Sequence, residues 1–99
     1  MEYTINADGA EITVAVSGQI DTFSSPILEE GVMGAIDDAE KLIFDFANTE
    51  YITSAGLRVL LGAQKAMMKK QGSMVIINVN NEVMEVFEVT KFSDFLTIE

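Results

Sequence analysis

The spacing of apolar positions changes along the chain. Ile12, Val14 and Val16 alternate with Glu11, Thr13 and Ala15, a period of two that predicts a strand with one buried face. Upstream, Tyr3-Thr4-Ile5-Asn6 predicts a shorter strand, and Asn6-Ala7-Asp8-Gly9 has the turn chemistry to join the pair as an antiparallel hairpin. Gly18-Gln19-Ile20-Asp21 leaves the second strand. Ser24-Ser25-Pro26 then opens a helix, with a serine as N-cap and proline at the first position, where its missing N–H costs nothing. The apolar stripe of this helix is Leu28, Val32, Ala35, Ile36 and Ala39. Gly31 and Gly34 each weaken it by about 1 kcal/mol relative to alanine, which implies close packing against a sheet.

Lys41 to Phe46 predicts the next strand. Its consecutive Leu42, Ile43 and Phe44 imply a central strand covered on both faces, and Asp45 reads as a strand-end carboxylate meeting solvent or a backbone N–H. A helix of about residues 55–70 follows, with Leu57, Leu60, Leu61, Met67 and Met68 on its apolar face and Arg58, Gly62, Lys65 and Lys69 opposite. Lys65, Lys69 and Lys70 suit the negative end of its dipole, and Gly72 suits a C′ stop. Met74 to Val79 predicts a buried strand. Asn80 or Asn81 caps a helix of about residues 82–89, and Phe95 to Ile98 predicts a last short strand. From the third strand onward strands and helices alternate, which implies right-handed crossovers and parallel pairing. The expected fold is a single α/β domain over residues 1–99, a mixed four- to five-stranded sheet covered by helices. In such sheets, sites gather beyond the carboxyl ends of the parallel strands. That directs attention to the loops Gly18–Pro26 and Asn48–Gly56.

Composition narrows the chemistry. The 99 residues carry 16 Asp and Glu against 6 Lys and Arg, a formal charge of −10. Such a surface repels phosphate backbones and anionic lipid, so neither nucleic acid nor membrane is an expected partner. There is no Cys and no His, which excludes thiolate chemistry, Cys/His zinc sites and a Ser-His-Asp triad. No Gly-rich phosphate loop points to a nucleotide, and no cofactor is expected. The N-terminus lacks the basic and apolar regions of a signal peptide, so a cytoplasmic protein is expected, and with no His and no motif placing a base beside a serine, a non-enzymatic one.

The remaining chemistry centres on Tyr51-Ile52-Thr53-Ser54-Ala55-Gly56-Leu57, where a strand hands over to a helix. Position alone makes Ser54 an N-cap and Asp21 a loop turn residue. This stretch, with Ser17-Gly18-Gln19-Ile20-Asp21 and Ser24-Ser25-Pro26 before it, resembles the STAS family, in particular the bacterial anti-sigma factor antagonists. The resemblance covers nearly the whole chain. It implies that Ser54 is a phosphoryl acceptor, followed by the family's Gly-Leu at Gly56-Leu57, and that Asp21 matches a carboxylate beside the acceptor. Thr53 stands where the family usually has Asp, Ala55 stands where Ser or Thr is frequent, and the terminal helix of longer members is missing or very short.

The resemblance further implies a partner, an anti-sigma factor that is itself a GHKL-type serine kinase. The unphosphorylated antagonist would displace the sigma factor, phosphorylation would release it, and a serine phosphatase would reset it. Asp21, Thr53, Ser54, Ala55, Gly56 and Arg58 are the expected contact residues, with Gly56 admitting a partner backbone and Arg58 reaching a phosphate one turn away. The alternative within the family is an interaction subunit, not phosphorylated, of a lipid-transport ABC system or a signalling assembly.

Overall fold

Four strands and three α-helices account for most of the chain in the computed structural model, which describes residues 1–99. The order is β1 (Glu2–Asp8), β2 (Glu11–Ile20), α1 (Ser25–Ala35), β3 (Lys41–Ile52), α2 (Ser54–Lys69), β4 (Ser73–Ile77) and α3 (Asn81–Val89), then a short 3₁₀ turn at Phe92–Asp94. The strands lie side by side in sequence order, with β1 antiparallel to β2 and the other pairs parallel. The turn between β1 and β2 uses Gly9 at φ 63°, the left-handed conformation that glycine adopts without a Cβ clash.

Strand order decides which face is covered. The crossovers β2–α1–β3 and β3–α2–β4 advance in the same direction. Right-handed crossovers therefore place both helices on the same face of the sheet. Register then sorts the side chains. Leu42 lies between Ile12 and Met74, and Phe44 between Val14 and Ile76, all facing the helices. These residues join Leu28 and Val32 of α1, Leu57, Leu60 and Met67 of α2, and Val83 and Phe87 of α3 in one core. Phe44 meets Phe46 edge-on, with ring centroids 5.9 Å apart.

The opposite face is not covered by a helix. The rows Thr13–Ile43–Val75 and Ala15–Asp45–Ile77 lie on it, and Ile43 is half-buried. The expectation of a strand covered on both faces is thus corrected. A second cover requires a reversal in strand order, and none occurs here.

Other boundaries also differ from expectation. β3 continues six residues past Phe46 to Ile52, and β2 continues through Gly18 to Ile20 by way of register shifts at Ala15/Ser17 and Gly18/Gln19. Thr49 holds the irregular stretch: it is buried, and its hydroxyl donates to Val16 O at 2.8 Å. α1 ends at Ala35, and the buried Ile36 and Ala39 pack from the loop beyond it. Of its two glycines, Gly31 makes room for the Tyr3 ring, because an added Cβ would sit 2.2 Å from the phenol oxygen. At Gly34 nothing lies within 4 Å, so the packing argument fails there.

α2 ends in a Schellman arrangement, with Gly72 N–H on Met67 O and Gln71 N–H on Met68 O. The left-handed residue is Gln71, at φ 64°, and not Gly72. Gly72 instead keeps Cβ space clear for Met67 and Glu40 O. Lys70 reaches beyond its own helix and donates to Ile36 O and Asp37 O at the end of α1. Met68 is exposed, off the apolar face assigned to it. The expected last strand shrinks to a single parallel bridge, Ile76 to Ile98, because Phe95 points outward and only Leu96 enters the core.

Candidate functional site

Three loops meet at the carboxyl ends of β2, β3 and β4. The first begins with Asp21. Its Oδ1 accepts the N–H groups of Phe23 and Ser24, both at 2.9 Å, and lies 3.1 Å from the Ser24 hydroxyl. Ser24 Oγ in return accepts the Asp21 N–H at 2.9 Å. This is a reciprocal capping box, Asp21-x-x-Ser24, in which side chains satisfy two backbone donors at a helix start. Ser25 N–H bonds Asp21 O at 2.9 Å, and Ser24 already has helical φ and ψ of −88° and −24°. The cap of this helical entry is therefore Asp21, four residues upstream of α1, and Ser24 is not the N-cap.

The bond from Ser24 N–H is the largest influence on the Asp21 carboxyl; with those from Phe23 N–H and the Ser24 hydroxyl it outweighs desolvation, the second largest, and holds the group below its ordinary value of 3.8. A lowered folded-state pKa contributes stability in full above the unfolded value and loses it as pH falls through the folded value. Wild type is therefore expected to lose its advantage over Asp21→Asn as pH drops below about 4. Melting temperatures of the two proteins across that range check this, since every other carboxyl is common to both.

The second loop is the handover from β3 to α2. Thr53 is the N-cap residue, with extended φ and ψ of −102° and 178°, and α2 starts at Ser54. The Thr53 side chain makes no cap bond to the helix. Instead its N–H and hydroxyl both donate to Ile20 O, at 2.9 and 3.2 Å, tying this loop to the first. An ionised aspartate has no proton to give that carbonyl, so threonine at this place has its own structural use. The first intrahelical bond runs from Leu57 N–H to Thr53 O, leaving the amides of Ser54, Ala55 and Gly56 at the unpaired start of the helix.

Ser54 is exposed and occupies the first helical position, so its hydroxyl is not the cap that position alone suggested. Ala55 is half-buried, and Arg58 is exposed one turn along. Ala55 and Arg58 line a groove of about 410 Å³ against Ser25, Pro26, Glu29 and Glu30 of α1. Gly56 is different. It is buried, and a Cβ there would lie 2.5 Å from Ile52 Cγ1, 2.8 Å from Ile20 Cγ2 and 3.1 Å from Ile20 O. Its missing side chain admits this protein's own strands, a packing reason for glycine that needs no partner backbone.

The third loop leads into α3. Asn80 caps that helix, accepting Val83 N–H at 2.8 Å, while its amide donates to Thr49 O at 2.9 Å. Asp45 accepts Ala47 N–H and the Asn78 amide, each at 3.0 Å. One side chain at this end escaped the sequence reading altogether. Phe23 is 88% exposed on the capped first loop, and Ile27 follows it at 58% on α1. The signal that could have found Phe23 is the Asp21-x-x-Ser24 spacing, which fixes an aromatic residue in a tight turn with nowhere inward to go.

Fold and sequence both place this chain among known proteins. The STAS domain family matches residues 4–99. The chain belongs to that family. It is 28% identical over 88 residues to the anti-sigma-B factor antagonist of Bacillus subtilis, covering 89% of this chain and 81% of the relative. The STAS fold also appears in the unphosphorylated form of the anti-sigma factor antagonist SpoIIAA, with a TM-score of 0.86 over 99% of this chain and 88% of that one at 15% identity. The phosphorylated form of the Bacillus cell fate determinant SpoIIAA superposes with a TM-score of 0.78 at 14% identity, over 99% and 91% of the two chains. These two likenesses establish the STAS fold. No helix of the chain is long and apolar enough to cross a membrane.

Proposed function

We propose that this STAS domain is a cytoplasmic anti-sigma factor antagonist, switched by phosphorylation of Ser54. Its partner is an anti-sigma factor of the GHKL serine-kinase type, and a serine phosphatase reverses the modification. The observation that carries the proposal is the setting of Ser54: exposed, at the first position of α2, with no capping duty. The name of the Bacillus subtilis relative supports the partner class. The acceptor supplies no catalysis, so the absence of His and Cys is no obstacle.

Phosphorylation adds about −1.5 to −2 charges and three acceptor oxygens. The unpaired amides at the start of α2 and the positive end of its dipole receive that charge locally, and Arg58 pairs with it from the next turn. No refolding is required. The phosphate changes the surface a partner meets, adding bulk and negative charge beside Asp21, Thr53 and Ala55. A contact matched to the neutral hydroxyl is then lost.

Incubation with the cognate kinase and ATP is expected to add one phosphoryl group, located at Ser54 by peptide mass spectrometry and absent in Ser54→Ala. Ser54→Asp is expected to keep its melting temperature and bind the anti-sigma factor at least about 100-fold more weakly, about 2.7 kcal/mol. Tight binding by the Asp variant, or specific capture of a transporter ATPase in place of a kinase, overturns the proposal.

A further inference from the structure

The outer stripe of α3 takes no part in the switch, and only Val86 of it packs, half-buried, against the core. Val83 and Phe87 are fully buried beneath the helix. Glu82, Glu85, Val86 and Val89 recur at i, i+3, i+4 and i+7 on the other side. With Tyr51 and Thr90 they line a groove of about 420 Å³. Val89 is 73% exposed and Tyr51 is 42% exposed.

Folding accounts for only part of these choices, and not for the exposed Val89. Valine loses rotamer freedom in a helix, and an exposed position in a nine-residue helix favours an unbranched residue. The charges are only partly arranged for the helix: Glu82 in the first turn suits its dipole, but Glu85 lies beyond that turn. Glu88 stands at the negative end of the dipole, and the last turn holds no base. The result is an apolar floor with an acidic rim.

We propose that the α3–Tyr51 groove docks a basic amphipathic helix of a partner protein. Its aliphatic side chains lie over Val86 and Val89 against the Tyr51 ring, and its Lys or Arg residues pair with Glu82 and Glu85. Charge complementarity selects this occupant. The rim is acidic and the chain carries −10 overall, which repels acidic peptides, nucleic acid and anionic lipid alike. The groove is a second surface at the same end of the sheet as Ser54, since Asn80 fastens the start of α3 to Thr49 O and Tyr51 precedes Ser54 by three residues. It involves no phosphoryl group and stands independently of the Ser54 switch.

The test titrates the ¹⁵N-labelled full chain with a short Leu/Lys peptide patterned as an amphipathic helix, and with a scrambled peptide of identical composition. The amphipathic peptide is expected to shift the amides of Tyr51, Val86, Val89 and Thr90 saturably and to bind about tenfold more tightly than its scramble. Glu85→Lys/Val89→Lys is expected to lose that preference while keeping the dispersed spectrum of a folded chain. Ser54→Asp is expected to bind the peptide as wild type does. Equal binding of the scramble, shifts confined to the Phe23 and Arg58 face, an undiminished preference in the Lys variant, or loss of binding in Ser54→Asp each overturns the proposal.

Discussion

Gly56→Ala is expected to destabilise the fold by about 2 kcal/mol, the usual cost of forcing a methyl group into a filled core. The added Cβ would lie 2.5 Å from Ile52 Cγ1 and 2.8 Å from Ile20 Cγ2, and both isoleucines are wholly buried. Neither side chain has free space to turn into. The third neighbour, Ile20 O at 3.1 Å, is backbone and already accepts the Thr53 N–H and hydroxyl. Relief therefore requires the first turn of α2 to lift away from β2 and β3, carrying Ser54 with it. For a domain of this size the melting temperature falls by about 10 °C. Gly62→Ala is the matched control on the same helix, because its Cβ would meet only Met33 Cε at an ordinary 3.5 Å. Urea unfolding of both variants decides the matter. An unchanged midpoint for Gly56→Ala would return Gly56 to the outer surface and to direct contact with a partner.

The helices and the parallel strands were legible because each rests on a local signal. Alternation marked β2, Ser-Ser-Pro marked the region of α1, and Asn80-Asn81 marked the start of α3. What failed depended on long-range geometry. The run Leu42-Ile43-Phe44 looks alike whether a strand has one cover or two. Only the strand order, which sends both crossovers the same way, shows that Ile43 faces outward. The second half of β3 was hidden because Ala47-Asn48-Thr49-Glu50 is polar and carries no period. It is strand because β2 pairs with it through two register shifts and Thr49 bonds Val16 O. Phe95 to Ile98 has strand propensity, but one bridge to Ile76 is all the pairing it finds.

At the site, the strand-to-helix handover was legible, but position alone read Ser54 as the cap where Thr53 holds that place; the acceptor role came from the family resemblance only. The division of labour around it was not legible. Asp21 caps the entry to α1, Thr53 joins two loops, and Gly56 lies inside, so three of the six expected contact residues have structural work that spacing does not reveal. A Cβ clash and a side chain's choice between two carbonyls are properties of the folded end of the sheet.

Phe23→Ala is expected to weaken binding of the cognate anti-sigma factor about 30-fold, about 2 kcal/mol, while leaving the melting temperature unchanged. Phe23 is 88% exposed, so its removal leaves no cavity in the fold. Burying such a ring in a partner's pocket contributes about 1.5–3 kcal/mol, and a few anchors of this kind dominate most interfaces. Its backbone is already fixed, because Asp21 Oδ1 accepts its N–H at 2.9 Å and the Ser24 box closes the turn around it. Little ordering cost is left to meet on association, which separates it from an exposed aromatic on a loose loop. The loss should fall on the dissociation rate, since the substitution alters no charge and leaves steering intact. Calorimetry gives the affinity and surface-bound kinetics give the two rates. Phe23→Leu, which keeps most of the apolar area, is expected to fall between wild type and Ala. An affinity within about threefold of wild type for the Ala variant would remove Phe23 from the interface and leave Ser54 and its neighbours to carry recognition alone.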